Sequence, residues 1–237
     1  MSSGSLAGVD GCKGGWLMVR LGPGGDPAGA DWEISPEWAG LETASSTFVA
    51  VDMPIGLPDG SADPGRRVCD SLARRLLPGA ASTVFPTPRR PMLTMPDYAS
   101  ANAWGKTRGA GLAKQAWFLI PRIRELDAAL VPADQGRIRE THPELVFRVL
   151  AGTPRLAPKK TPEGRDQRRA VLTAAGFHQL EAWRAALPRA KAAEDDLNDA
   201  CVLALAARRM AKGTAICLTT TPKPERDARG LAMEIWY

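Results

Sequence analysis

The chain has 237 residues, 44% hydrophobic and 24% charged, enough to bury a sizeable core without disulfide or metal staples. That composition excludes a disordered or fibrous class, and no apolar run reaches the roughly 20 residues that a membrane-spanning helix needs. Lys and Arg outnumber Asp and Glu by 31 to 26, a formal +5, which favours nucleic acid or another phosphate-bearing ligand as partner.

Leu6-Ala7-Gly8-Val9-Asp10 reads as a buried strand ending in a carboxylate. Gly11 to Gly15 supplies a tight turn, and Trp16 to Arg20 returns as the second strand of a hairpin. A Pro/Gly-rich loop over 22–29 precedes a weak third strand near Trp32–Ile34, and Pro36–Ala44 suits a short helix. Thr47-Phe48-Val49-Ala50-Val51-Asp52 is nearly all apolar, as a parallel strand covered on both faces requires, and it too ends in Asp before a proline-rich break.

Arg66–Leu77 has helical spacing, and the Pro- and Arg-rich stretch 78–96 reads as an ordered loop. Leu112–Leu130 forms the longest central helix, with Pro121 marking a kink or a start. A strand over Arg137–Thr141 leads into a helix opened by His142-Pro143-Glu144, and Lys159–Gly164 is a polar, basic loop. Two short helices, about 165–175 and 178–186, precede an Ala/Leu-rich helix over 195–212. Strands near 215–218 and 231–236 end the chain. The order predicts one α/β domain over 1–237, with a loop/helix insertion around 78–111: three antiparallel strands, then parallel ones, with helices on both faces of the sheet.

The four cysteines, Cys12, Cys69, Cys201 and Cys217, form no C-x-x-C pair and lie far from His142 and His178, so they read as free thiols of a reducing compartment. No basic-then-apolar leader is evident in Met1–Ser5, and a cytoplasmic location is expected.

The acids carry the chemistry. Asp10 and Asp52 each end an apolar strand, and adjacent strand ends bring such side chains together. Glu144 sits in a first helical turn, where the helix dipole alone could account for it. Asp195, Asp196 and Asp199 open the last long helix; capping explains one of them, but three like charges on one helix face repel unless a cation relieves them. Such an oxygen-only set suits Mg²⁺ or Mn²⁺. Two such ions roughly 4 Å apart can bind both the attacking water and the leaving oxygen.

The stretches Gly8–Trp16, Asp52–Leu57, Arg67–Asp70, Val84–Pro88, Leu112–Ala116, His142–Glu144, Asp195–Ala200 and Met233–Tyr237 resemble the DUF429 family, described as predicted nucleases of the ribonuclease H-like fold. The resemblance spans nearly the whole chain. It implies a ribonuclease H-like core with acids on the first strand, a later central strand and the final helix. Asp10 fits the first position, Asp196 and Asp199 the last, and Asp52 and Glu144 compete for the one between.

Arg66, Arg67, Arg74, Arg89, Lys114 and Gln115 could bind phosphates, with arginine offering bidentate geometry, or could be solvated or ion-paired. Lys13, beside the Asp10 turn, and His142, beside Glu144, join this substrate-binding set. Trp16, Trp104 and Trp117 read as core rather than as base-stacking platforms. The glycine-rich turn lacks the P-loop pattern. The leading expectation is a metal-dependent nuclease, with Asp10, Asp52, Glu144, Asp196 and Asp199 catalytic and Asp195 added as a metal ligand. The rivals are a nucleotide-binding phosphotransferase of the actin-like ATPase type and a non-catalytic phosphate-ligand-binding protein; a homodimer is compatible with each.

Overall fold

A computed structural model describes residues 4–60, 66–220 and 222–237. Residues 1–3, part of the segment read for a leader, lie outside the described residues. The chain divides into two compact units. The first comprises Met1–Asp52, Gly136–Ile216 and Trp236–Tyr237; the second comprises Met53–Gln135 and Cys217–Ile235.

The first unit is built on a five-stranded mixed sheet. Its strands are β1 (Ser5–Cys12), β2 (Gly15–Gly22), β3 (Asp26–Ser35), β4 (Ser46–Val51) and β5 (Ile138–Glu140), in spatial order β3-β2-β1-β4-β5. β1, β2 and β3 pair antiparallel, while β4 lies parallel to β1 and β5 parallel to β4. This is the predicted mixed α/β class, consistent with a ribonuclease H-like arrangement.

Gly15, at φ +130°, closes the β1–β2 hairpin in a conformation that a side chain would strain. β3 begins at Asp26, well before the weak strand expected at 32–34; the polar, Pro/Gly-containing 26–31 segment is held by pairing to β2 on one side, as edge strands allow. The helix expected over 36–44 is reduced to a 3₁₀ turn at Trp38–Gly40, where the ring of Trp38 packs edge-on against that of Trp16.

Four helices complete this unit: α4 (Pro143–Ala151), α5 (Pro162–Ala174), α6 (Leu180–Ala186) and α7 (Glu194–Ala211). α7 is the organising one. Its interior is free of Gly and Pro, Glu194 to Asp196 lie at its positive end, and Arg208 and Arg209 lie at its negative end. It packs on β1, β4 and β2, and α4 and α5 pack on it in turn. Leu197, Cys201, Leu203 and Leu205 join Leu17, Val19 and Ala50 in one core.

The closeness of α7 to β1 is a sequence property. A Cβ at Gly8 would stand 2.1 Å from the Ala204 nitrogen and 2.2 Å from the Ala200 oxygen, so only glycine lets the helix backbone settle on the strand. Ala7, Val9, Val49 and Val51, which alternate with the α7-facing positions, are also fully buried.

The second unit holds α1 (Val68–Leu76), α2 (Tyr98–Lys106) and α3 (Lys114–Ala129). α3 runs through Pro121. α2 falls inside the 78–111 stretch and is started by Asp97, whose side chain accepts from the Ser100 amide. Near the end of the chain, Cys217–Leu218 and Ile235–Trp236 form a two-stranded sheet, shorter than the strands expected there.

Candidate functional site

The parallel strands of the first unit deliver their C-terminal ends side by side. The Asp52 amide donates to the Val9 carbonyl at 3.0 Å, and the Thr141 amide donates to the Val51 carbonyl at 2.9 Å. Asp10 at the end of β1, Asp52 just past β4 and the start of α4 just past β5 therefore share one edge of the sheet, the edge at which open α/β sheets place their ligands. Asp10 projects to the same side as Gly8, two residues earlier, and so toward α7. Asp199 precedes Ala200, which lies over Gly8, so the helix brings its acids to the same edge.

The charges confirm the convergence. Burial raises the Asp10 carboxyl well above the ordinary carboxylate range, and the charges of Asp52, Asp199 and Asp196 push it further. Burial raises Asp52 to about 7, with Lys159 opposing and Glu144 adding to the rise. Burial likewise raises Asp199 to about 7, against Lys159 and with help from Asp52. Asp10 is 8% exposed, and among the described residues neither its carboxylate nor that of Asp52 has a hydrogen bond or ion pair.

The remaining acids do more local work. Asp196 accepts from the Ala193 amide at 2.8 Å and thereby caps α7, while its charge still reaches Asp10. Glu144 is engaged at both oxygens by the Arg168 guanidinium, with Nη2 at 2.7 Å from each. The two side chains are 6% and 4% exposed, so this is a buried, bidentate pair. Of the two competitors for the intermediate position, Asp52 is the one with a carboxylate open to a new partner.

Lys159 was read only as part of a basic loop, yet it is central. Its ammonium lies 3.2 Å from Asp199 Oδ2, to which it donates, and 3.4 Å from Asp195 Oδ2. Burial works against its charge, but Asp199 and Asp195 outweigh that and hold it above the ordinary lysine value. Arg168 was missed as well. A signal for this segment did exist in Thr161-Pro162-Glu163-Gly164: Thr161 caps α5 by accepting from the Gly164 amide, with Pro162 in the first turn. It marks a helix start just after Lys159 but says nothing of where the lysine points. Asn198, 1% exposed, adds a buried Oδ1 that has no hydrogen-bond partner among the described residues.

The expected phosphate-binding residues fall into two groups. Lys13 is exposed in the β1–β2 turn, and His142 is half-buried at the N-cap of α4. The others belong to the second unit. There, Arg67 is buried on Asp70 and the carbonyls of Ile55 and Gly56, and Arg89 on the carbonyls of Gly105 and Arg108. Arg74 donates to the Ala81 and Val84 carbonyls, and Arg66, Lys114 and Gln115 are exposed. The interactions of Arg67, Arg74 and Arg89 hold loops together within that unit.

Donor chemistry fits a hard divalent cation: Asp10 and Asp52 offer oxygen only, their carboxylates have no hydrogen bond or ion pair among the described residues, and burial followed by neighbouring acids raises them. Among the described residues no group of three or more His, Cys, Asp or Glu side chains is drawn together as a ready-made metal shell.

A family model described as "Protein of unknown function (DUF429)" matches residues 8–225, and the chain belongs to that family. No curated protein and no solved structure matches the chain.

Proposed function

We propose that this DUF429 member is a metal-dependent phosphodiester hydrolase acting on nucleic acid, with Asp10, Asp52 and Asp199 at its centre. The observation that carries this reading is the meeting of three buried or half-buried carboxylates at one sheet edge, two of them without a hydrogen bond or ion pair among the described residues and all three raised well above the usual range, by burial first. Such groups are costly to the fold, and sites that handle charged reactants are where such cost is met.

Asp10 and Asp52 would hold a Mg²⁺ or Mn²⁺ ion. When bound, that ion would lower the pKa of a water so that hydroxide forms near neutral pH, and would offset negative charge that develops on the phosphoryl oxygens. The chain's own residues do the rest. Asp199, held by Lys159, is placed to accept a proton from an attacking water, since a carboxyl near 7 is half-ionised at neutral pH. Lys159 keeps a positive charge beside the acids, which lowers the repulsion that an incoming phosphate would meet. Glu144, locked by Arg168, positions the segment that carries Lys159. The net charge of +5 favours a polyanionic substrate.

The test is cleavage of single-stranded, duplex and branched DNA and RNA by the wild type with Mg²⁺ or Mn²⁺, with chelator, and by Asp10→Asn. The expected result is metal-dependent cleavage that Asp10→Asn abolishes while retaining a native circular-dichroism spectrum. Undiminished cleavage by Asp10→Asn overturns the proposal. Nucleotide binding without cleavage of any of these substrates would move the reading to a phosphotransferase.

A further inference from the structure

The acid cluster already contains one cation, and it is a covalent part of the chain. Lys159 lies against Asp195 and Asp199 on the α7 side, while the carboxylates of Asp10 and Asp52 on the strand side have no hydrogen bond or ion pair among the described residues. The ammonium thus pairs directly with the α7 acids and acts on Asp10 and Asp52 through its charge alone.

The placement of Lys159 is built from several directions. The Thr161 amide and hydroxyl both donate to the Pro158 carbonyl, at 2.9 and 2.8 Å, which closes a turn around the lysine. The Ala157 amide donates to Gln167 Oε1 at 2.8 Å. Arg168 Nη1 donates to the carbonyls of Ala157 and Gly164, at 3.1 and 2.7 Å, so it clamps the segment on both sides of Lys159. Glu144 fixes Arg168. Gly164 belongs to the same device, because a Cβ there would stand 2.1 Å from the Pro158 oxygen.

An ammonium so held takes lone pairs on Asp195 and Asp199 that a second metal ion would need. We propose that Lys159 occupies the place of one cation in the Asp10–Asp52–Asp195–Asp199 cluster, so that the site takes a single divalent ion, on the Asp10–Asp52 side. This deepens the hydrolase reading above and rests on it. Two metal ions and one ammonium would compete for the same α7 oxygens; one ion and one ammonium divide the cluster without competition.

The experiment titrates Mn²⁺ calorimetrically into chelator-stripped wild type, Lys159→Met, Lys159→Arg and Asp10→Asn, and records the electron paramagnetic resonance of each loaded protein. The expected wild-type stoichiometry is one, with the spectrum of an isolated Mn²⁺, and Lys159→Arg keeps it. In Lys159→Met the stoichiometry rises to two and the spectrum shows a coupled pair. Should Lys159→Met lose its native circular-dichroism spectrum, Lys159→Gln replaces it. Two ions in the wild type, or one ion in the wild type and in the neutral variants alike, would overturn the inference while leaving a metal-dependent site intact. No binding to any of the four proteins would instead remove the metal from the hydrolase reading, and this inference with it.

Discussion

The buried pair of Glu144 and Arg168 offers the sharpest energetic test, because its partners are held by three hydrogen bonds and both side chains are almost wholly enclosed. Removing one member leaves the other charged, buried and unpaired, which costs about 3–5 kcal/mol. Arg168→Met and Glu144→Leu should each fall in that range. If the two costs were independent, the double variant would lose about 6–10 kcal/mol, enough to unfold most domains. The pair can instead be replaced as a unit. Apolar residues of similar volume are often neutral substitutes for a buried ion pair, so the double variant should lose mainly the two bonds from Arg168 to the Ala157 and Gly164 carbonyls, about 1 kcal/mol each. A double-mutant cycle from urea unfolding should therefore give a coupling of at least about 3 kcal/mol. Single variants that cost under about 1 kcal/mol, or a double variant as unstable as the sum, would refute the reasoning.

Stability of the metal-free protein should depend on pH in a defined sense. Asp52 and Asp199 are raised from the ordinary carboxylate value to about 7, so their contribution to stability is full below about pH 4 and is lost as pH rises through 7. Melting temperature measured with chelator should fall between pH 5 and pH 8, and Mn²⁺ should recover it at pH 8; a rise over that interval would contradict the assignment. Asp10→Asn removes a charge that burial and three acids oppose, so it should melt several degrees above the wild type in chelator at pH 8. A lower melting temperature there would show that the Asp10 carboxylate is well accommodated without metal. Gly8→Ala would drive a methyl group into the α7 backbone at Ala200 and Ala204, with an expected loss of about 3 kcal/mol or more in denaturant unfolding, and wild-type stability would disprove the close approach.

What could be read from the chain beforehand follows the range of the signal. β1, β2, β4 and α7 announce themselves because their apolar patterns are local: each is a run whose period matches its element and whose burial the sheet then realises. β3 is longer than its pattern because pairing to β2, not side-chain burial, holds residues 26–31. α2 has little apolar periodicity, and Tyr98 to Lys106 becomes a helix through the Asp97 cap and small residues rather than through an apolar stripe. Pro121 suggested a kink or a start within the helix expected over Leu112–Leu130; α3 runs through it from Lys114, with Ala116, Ile120, Ile123 and Leu126 keeping one face buried across it.

The site divides along the same line. Asp10 and Asp52 were legible because a carboxylate that ends a buried run is a local anomaly, and parallel pairing of β1 with β4 then places them side by side. Lys159 and Arg168 carry no such mark: a lysine in a polar loop and an arginine in a polar helix are ordinary until the chain folds. Their roles arise from charge balance across segments more than 20 residues apart, Glu144 to Arg168 and Lys159 to Asp199. The same balance explains why Glu144 looked like a ligand. Its place at the start of α4 is what an acid near the sheet edge should have, but Arg168 satisfies it, and what it contributes to the cluster is the fixed position of Lys159. The acids of the cluster can thus be read from one segment at a time, whereas the lysine that pairs with two of them becomes visible only when the segments meet.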